Sequence, residues 1–115
     1  MIQQTTEPYI RVCMKTWLLC ESAIHTEMKR SKPRHGLIQA CTECARICFS
    51  LVSQLVSEQA ADDSTGPMAF DCWLSCRQCA DACFPYIREE DFQLCAEACV
   101  DCSEELKDIF RFNLN

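Results

Sequence analysis

Twelve of the 115 residues are cysteines, and their spacing is the most distinctive feature of the sequence. They form four groups in which consecutive cysteines are three, four or seven residues apart. The groups are Cys13 and Cys20; Cys41, Cys44 and Cys48; Cys72, Cys76, Cys79 and Cys83; and Cys95, Cys99 and Cys102. An α-helix turns by about 100° per residue, so each group falls within a narrow arc of one helix. The pattern predicts four thiol stripes, and thiolates at this spacing can share a soft metal ion.

The residues that start and stop helices agree with four helical segments. Pro8 fits a first helical turn, whereas Pro33 and Pro85 interrupt the segments that precede them. Residues 60–67 are rich in turn formers, and 88–91 form a short polar corner. The predicted helices cover about 7–30, 34–59, 67–84 and 90–111. Short connections favour antiparallel neighbours, so we expect an all-α, up-down-up-down four-helix bundle with a cysteine-lined interior.

Composition supports one soluble domain over residues 1–115. A hydrophobic content of 49% disfavours disorder, and only 2 glycines and 4 prolines disfavour an all-β fold. The net charge of -6 argues against nucleic acid as a partner. No apolar run approaches the roughly 20 residues of a membrane span. The first seven residues lack the basic and apolar regions of a secretory signal, so we expect a cytoplasmic protein with reduced thiols.

The cysteine stripes have three interpretations at this point. Cysteine can be a small core residue, but twelve in register would leave voids that larger side chains would fill. The cysteines could form disulfides, although their nearest spacings lie within single helices and the expected compartment is reducing. In the third interpretation, which we favour, all twelve thiols are metal ligands.

The identity of the metal also has alternatives. Zinc prefers closed sites of four ligands, and a continuous stripe does not suggest separate quartets. Iron–sulfur clusters use four cysteines each, and an electron-transfer protein that holds such a cluster is the second functional hypothesis. Cu(I) is bound by two or three thiolates, which can bridge neighbouring ions. The CxxxC pairs suit Cu(I) best; they are Cys44/Cys48, Cys72/Cys76, Cys79/Cys83 and Cys95/Cys99.

Three stretches carry a family resemblance: CTECARIC at 41–48, CWLSCRQCADAC at 72–83 and CAEACVDC at 95–102. They resemble the cysteine-rich four-helix-bundle copper-storage proteins of bacteria, over about residues 7–111. The resemblance implies an antiparallel bundle, many Cu(I) ions in its interior and assembly into homo-oligomers. It also implies a ligand role for Cys41, Cys44, Cys48, Cys72, Cys76, Cys79, Cys83, Cys95, Cys99 and Cys102. The first helix differs, because Trp17 stands between Cys13 and Cys20 where a CxxxC pair would have its second thiol.

Other residues give weaker indications of function. His25, Met28 and His35 are either entry ligands for Cu(I) or solvent-facing histidines and a core methionine, and Met68 has the same ambiguity at the opposite end. The basic turn formed by Lys29, Arg30, Lys32 and Arg34 is expected to be a solvated loop. Neither a Ser/His/Asp set nor a glycine-rich phosphate loop is present, so we do not expect an enzyme.

Apolar residues continue the cysteine faces and also lie beside them. Ile24, Met28, Leu37, Ile38, Val52, Leu55, Val56, Leu106, Ile109 and Phe110 are predicted to form core layers on either side of the thiols. The residues that lie off the stripes are Leu18, Leu19, Phe49, Leu51, Trp73 and Phe112. This second set predicts a homo-oligomer, unless its members cover the flanks between helices.

Overall fold

The computed structural model describes residues 6–57 and 65–110, and this part of the chain is almost entirely helical. The elements are α1 (Glu7–Met28), α2 (His35–Val56), α3 (Thr65–Cys83), a 3₁₀ turn (Phe84–Tyr86) and α4 (Glu90–Phe110). The described residues contain no β-strand, so the prediction of an all-α fold is confirmed.

Two helices end earlier than the sequence predicted. The last residue of α1 is Met28, and the backbone N–H of Lys29 bonds to carbonyl groups of the final turn. The last residue of α2 is Val56, because Ser57 has an extended backbone with φ -73° and ψ 159°. The predicted extension of α2 to residue 59 lies outside the described residues, as does the predicted end of α4 at 111.

The other boundaries follow proline and capping chemistry. The first residue of α3 is Thr65, two residues before the prediction. This places Pro67 within the first turn, where the N–H that proline lacks would have no helical partner. The helix ends at Cys83, immediately before the Phe84–Pro85 step, as predicted within one residue. Arg34, with extended backbone, precedes α2 as its N-cap.

Pairs of cysteine sulfurs on facing helices establish the direction of packing. Each helix packs against the next, and α1 also packs against α4, which closes the ring. The sulfur pairs are Cys13 with Cys102 and Cys20 with Cys95 between α1 and α4, and Cys41 with Cys83 and Cys48 with Cys72 between α2 and α3. In both helix pairs the residue numbers rise on one helix as they fall on the other. Helices α1 and α4 are therefore antiparallel, and so are α2 and α3, which is consistent with an up-down-up-down bundle.

The thiols occupy the middle of the bundle, between two conventional core layers. One layer contains Leu51, Leu55, Ala69 and Leu106, and we call this the Leu55 end. The opposite layer contains Leu37 and Phe92 beside the ion pair of Glu27 and Arg34, and we call it the Arg34 end. The predicted flanking layers are thus confirmed at both ends, through Leu37, Leu55 and Leu106.

Several apolar residues lie elsewhere than predicted. Met28 and Val56 are 64% and 49% exposed, because each is the last residue of its helix and extends past the packed layers. Leu51 is fully buried and belongs to the core rather than to the surface. Ile24, Ile38 and Val52 are half-buried. The side chains of Ile109, Phe110 and Phe112 lie outside the described residues.

The surface between α1 and α2 carries an exposed apolar patch. Phe49 is 52% exposed and packs against Trp17, with ring centroids 5.2 Å apart. Leu18 is also exposed, whereas Leu19 and Trp73 are half-buried on the flanks. None of the helices, as far as the structure describes them, is both long and apolar enough to cross a membrane.

Candidate metal centre

All twelve cysteine side chains point into the bundle. Each is at most 1% exposed, and all are free thiols. This confirms the predicted orientation of the four stripes and gives no support to a disulfide framework. Cys13 and Cys20 of α1 are buried like the other ten, although the family resemblance assigned a ligand role only to those ten.

Every cysteine sulfur has another cysteine sulfur within 4 Å. The shortest contact is Cys48 to Cys72 at 3.6 Å, and the longest of these contacts, such as Cys41 to Cys83, are 3.9 Å. A disulfide bond is about 2.05 Å long, so these sulfurs touch without bonding. Such contacts join α1 to α4, α2 to α3, α2 to α4 and α3 to α4, so one ion can be reached by thiols from different helices.

Three sets of four sulfurs are compact enough to hold one metal ion, since all four atoms lie within 4.8 Å of one another. The first set, Cys48, Cys72, Cys76 and Cys102, shares no thiol with the others, and we call it the separate quartet. The other two sets are Cys20, Cys79, Cys95 and Cys99, and Cys41, Cys79, Cys83 and Cys95. They overlap at Cys79 and Cys95, and together they make what we call the six-thiol group.

Two further cysteines complete the thiol network. The sulfur of Cys44 lies 3.7 Å from that of Cys76 and 3.8 Å from that of Cys99, so it connects the separate quartet to the six-thiol group. The sulfur of Cys13 lies 3.8 Å from that of Cys102. The network is therefore continuous, as the stripes predicted. The expectation that it would contain no separate quartet was wrong.

The buried hydroxyl groups of Thr16 and Ser103 donate hydrogen bonds to backbone carbonyl oxygens. The hydroxyl of Thr16 lies 2.7 Å from the carbonyl oxygen of Val12 and 3.2 Å from that of Ala98, which links α1 to α4. The hydroxyl of Ser103 donates to the carbonyl oxygen of Val100 at 2.8 Å. Among the described residues, no buried side-chain nitrogen or oxygen lacks a hydrogen-bond partner. Sulfur is thus the donor atom that the interior offers to an ion.

The acidity of the thiols is set by their neighbours. Hydrogen bonding with Cys102, reinforced by burial, raises the pKa of Cys48 and of Cys76 well above the usual value. Hydrogen bonds from Cys20 and Cys41 lower the pKa of Cys79 to about 6. The buried thiols thus shift one another's pKa values in both directions. Metal binding must displace the remaining protons, so affinity rises with pH.

The Arg34 end is closed by a buried ion pair. Glu27 is fully buried, and its carboxylate accepts hydrogen bonds from the backbone N, Nε and Nη2 of Arg34 at 2.7, 2.8 and 2.7 Å. The Arg34 guanidinium lies 3.9 Å from the ring centroid of Tyr86 and also contacts Glu89 at 3.1 Å. Its hydrogen bonds hold the pKa of Glu27 below the usual value. The prediction of a solvated loop was wrong for Arg34, which is 22% exposed.

Sequence reasoning missed Glu27, although the spacing contained a signal. Cys13, Cys20 and Glu27 follow one another at intervals of seven residues, so Glu27 occupies the next position of the α1 stripe. A carboxylate on a buried stripe requires a cation, and Arg34 supplies it at the start of α2. The pair ends the thiol-lined part of the interior.

The candidate entry ligands lie outside the thiol network. His25, Met28 and His35 are exposed, and none of them belongs to a compact set of ligand atoms in the described part of the chain. His25 and His35 are therefore solvent-facing histidines, as one of the two hypotheses predicted. The same hypothesis placed Met28 in the core, and this part was wrong because Met28 is exposed. Met68 is half-buried and packs against the core at the Leu55 end.

Comparison with known proteins identifies one family. A family model described as copper storage protein matches residues 2–111, which is nearly the whole chain. No curated protein and no solved structure matches the chain. The match agrees with the buried thiol groups and gives no support to an iron–sulfur protein over a copper protein.

Proposed function

Since this chain belongs to the copper storage protein family, we propose that it stores copper as Cu(I) on the thiolates of its interior, with all twelve cysteines as ligands. The observation that carries the proposal is the contact of every cysteine sulfur with another at 3.6–3.9 Å. Cu(I) is a soft ion that two or three thiolates can bind. Neighbouring ions can share a thiolate in such a network, so ions can be packed along the bundle axis.

Charge supports a monovalent ion. The thiols are at most 1% exposed, and a buried charge is costly unless it is compensated. One Cu(I) per thiolate neutralises the thiolate fully, and bridging thiolates allow this ratio to be approached. A divalent ion held by four thiolates leaves two negative charges in the core. Dense loading of this interior is therefore least costly with Cu(I).

The test is a Cu(I) titration of the reduced protein, without air and against a competing chelator. We expect the chain to retain more than the three ions that one ion in each compact set would give. Cys79→Ser removes a thiol common to two sets and should lower the number of ions retained. Met28→Leu is the matched control, since it removes an exposed sulfur and should leave the count unchanged. Loss of all Cu(I) to the chelator would contradict the proposal.

We further propose that the protein is a cytoplasmic homo-oligomer without a catalytic role. Twelve free thiols are compatible with a reducing compartment. The exposed ring of Phe49, packed against the half-buried Trp17, supports association with a second copy, because exposed apolar patches are uncommon on monomers. A stable monomer mass in light scattering at micromolar concentration would contradict association.

A further inference from the structure

We propose that the same interior also binds three divalent thiophilic cations of the Zn²⁺ class, one in the separate quartet and two as a thiolate-bridged pair in the six-thiol group. The inference rests on the proposed function only in taking the buried thiols as metal ligands. It assigns them a second class of ion, with a fixed stoichiometry and a fixed arrangement.

The separate quartet is already close to the geometry of a tetrahedral site. A Zn–S bond of 2.3 Å places the four sulfurs of a tetrahedron about 3.8 Å apart. The sulfur of Cys48 lies 3.6 Å from that of Cys72 and 3.9 Å from that of Cys76. All other pairs in the quartet, including those with Cys102, lie within 4.8 Å. The sulfurs thus need to move inward by about 1 Å or less to bind a divalent ion.

The six-thiol group has the connectivity of a binuclear site. Its two compact sets share two thiols, Cys79 and Cys95, whose sulfurs are 3.9 Å apart. Two tetrahedral ions that share one edge need two bridging thiolates and four terminal ones. Cys79 and Cys95 supply the bridges, and the terminal pairs are Cys20 with Cys99 and Cys41 with Cys83. Six thiols therefore complete two coordination spheres, with no thiol left over.

The arrangement also determines which cysteines take no part. Cys13 and Cys44 belong to none of the three compact sets in the described part of the chain. The remaining ten thiols lose their protons when three ions bind, so the filled sites carry six positive and ten negative charges. The filled sites thus keep a net buried charge of about -4. This uncompensated charge should make the interior bind divalent ions less tightly than densely packed Cu(I). We therefore expect Cu(I) to displace them and low pH to release them.

The experiment uses the reduced full-length chain, without air, titrated with ¹¹³Cd²⁺ as the probe. We expect binding to stop at three ions per chain. The ¹¹³Cd NMR spectrum should show three resonances typical of tetrathiolate sites. Two of them should be split by coupling to each other through the shared thiolates, and the third should be unsplit. A stoichiometry other than three, or the absence of a coupled pair, would overturn the inference.

Serine variants connect each resonance to its thiols. Cys72→Ser should remove the unsplit resonance and keep the coupled pair, and Cys76→Ser should do the same if the first variant is not helical by circular dichroism. Cys79→Ser should abolish the coupling, because it removes a bridge. Cys13→Ser is the matched control, since this equally buried thiol lies outside all three sets and three ions should remain. Equal losses in Cys13→Ser and Cys72→Ser would contradict the assignment.

The Cu(I) titration of the same preparation separates this inference from the proposed function. Retention of Cu(I) without a coupled ¹¹³Cd pair would leave copper storage standing and reject the binuclear site. A coupled ¹¹³Cd pair in a protein that does not retain Cu(I) would support the binuclear site and reject copper storage.

Discussion

Replacement of Glu27 by glutamine tests whether the buried ion pair holds the Arg34 end together. The substitution keeps the size of the side chain and removes its charge. The amide has one acceptor oxygen and one NH2 donor, so at least one of the three Arg34 donors that now lie 2.7–2.8 Å from carboxylate oxygens loses its acceptor. Because Glu27 is fully buried, water cannot replace the lost charge.

The expected cost follows from what Arg34 retains. Removal of one partner from a buried ion pair typically costs about 3–5 kcal/mol. Arg34 is 22% exposed and keeps its contacts with Glu89 and Tyr86, so we expect the lower end, about 3 kcal/mol. For a domain of this size each kcal/mol shifts Tm by about 4 °C, and the melting temperature should fall by about 12 °C.

Thermal and urea unfolding of the reduced, metal-free protein provide the measurement. Glu7→Gln is the matched control, because Glu7 pairs with Arg11 at 2.9 Å on the surface, where both side chains are more than half exposed. An exposed pair contributes at most about 1 kcal/mol. Replacement of both Glu27 and Arg34 by methionine should recover much of the loss, since no unpaired charge remains. Equal stability of Glu27→Gln and Glu7→Gln would refute the reasoning.

The same variant has a defined pH dependence. The pKa of Glu27 is lowered in the folded state, chiefly by the hydrogen bonds from Arg34. Its stabilising contribution is therefore present above the ordinary value of about 4.3 and is lost as the pH falls through the lowered pKa. Glu27→Gln should show a shallower decline of the free energy of unfolding below about pH 4.

Three further predictions concern the metal, the core and the surface. Saturating Cu(I) should raise the Tm of the reduced protein, and a thiol-blocking reagent should abolish this rise. The metal-free protein should still be helical by circular dichroism, because apolar layers flank the thiols. Leu55→Ala should cost about 2–5 kcal/mol in urea unfolding, and Val56→Ala, which truncates a half-exposed neighbour, should change stability by about 0.5 kcal/mol or less. Phe49→Glu should preserve helicity and lower the mass measured by light scattering; an unmodified protein that is already monomeric would reject this interface.

The positions of the thiols were predictable because helical periodicity fixes the direction of each side chain. Spacings of three, four and seven residues place a group on one face wherever the helix begins. Two of the errors in the predicted core layers occurred at helix ends. Helical periodicity places Met28 and Val56 on the same faces as the cysteines of their helices. Each is the last residue of its helix, however, and no neighbouring layer covers it.

The grouping of the thiols was not predictable, because it depends on how far the helices are shifted along one another. Cys99 and Cys102 are three residues apart on α4, yet Cys99 belongs to the six-thiol group and Cys102 to the separate quartet. The shift between helices results from the packing of both ends and from the connections, which periodicity does not describe. The burial of Arg34 was missed for a related reason, since its partner Glu27 lies on the preceding helix.

The continuity of the sulfur contacts has a kinetic consequence. An ion that must leave one site before it reaches the next would have to exist without ligands in a buried interior, at a prohibitive cost in solvation. Here neighbouring sulfurs throughout the network lie within 4.8 Å of one another, and Cys44 connects Cys76 to Cys99 at 3.7 and 3.8 Å. A bond to the incoming thiolate can form while the bond to the departing one lengthens. Under the proposed function, ions would therefore exchange ligands stepwise along the thiol network, and a single point of entry would be enough to fill it.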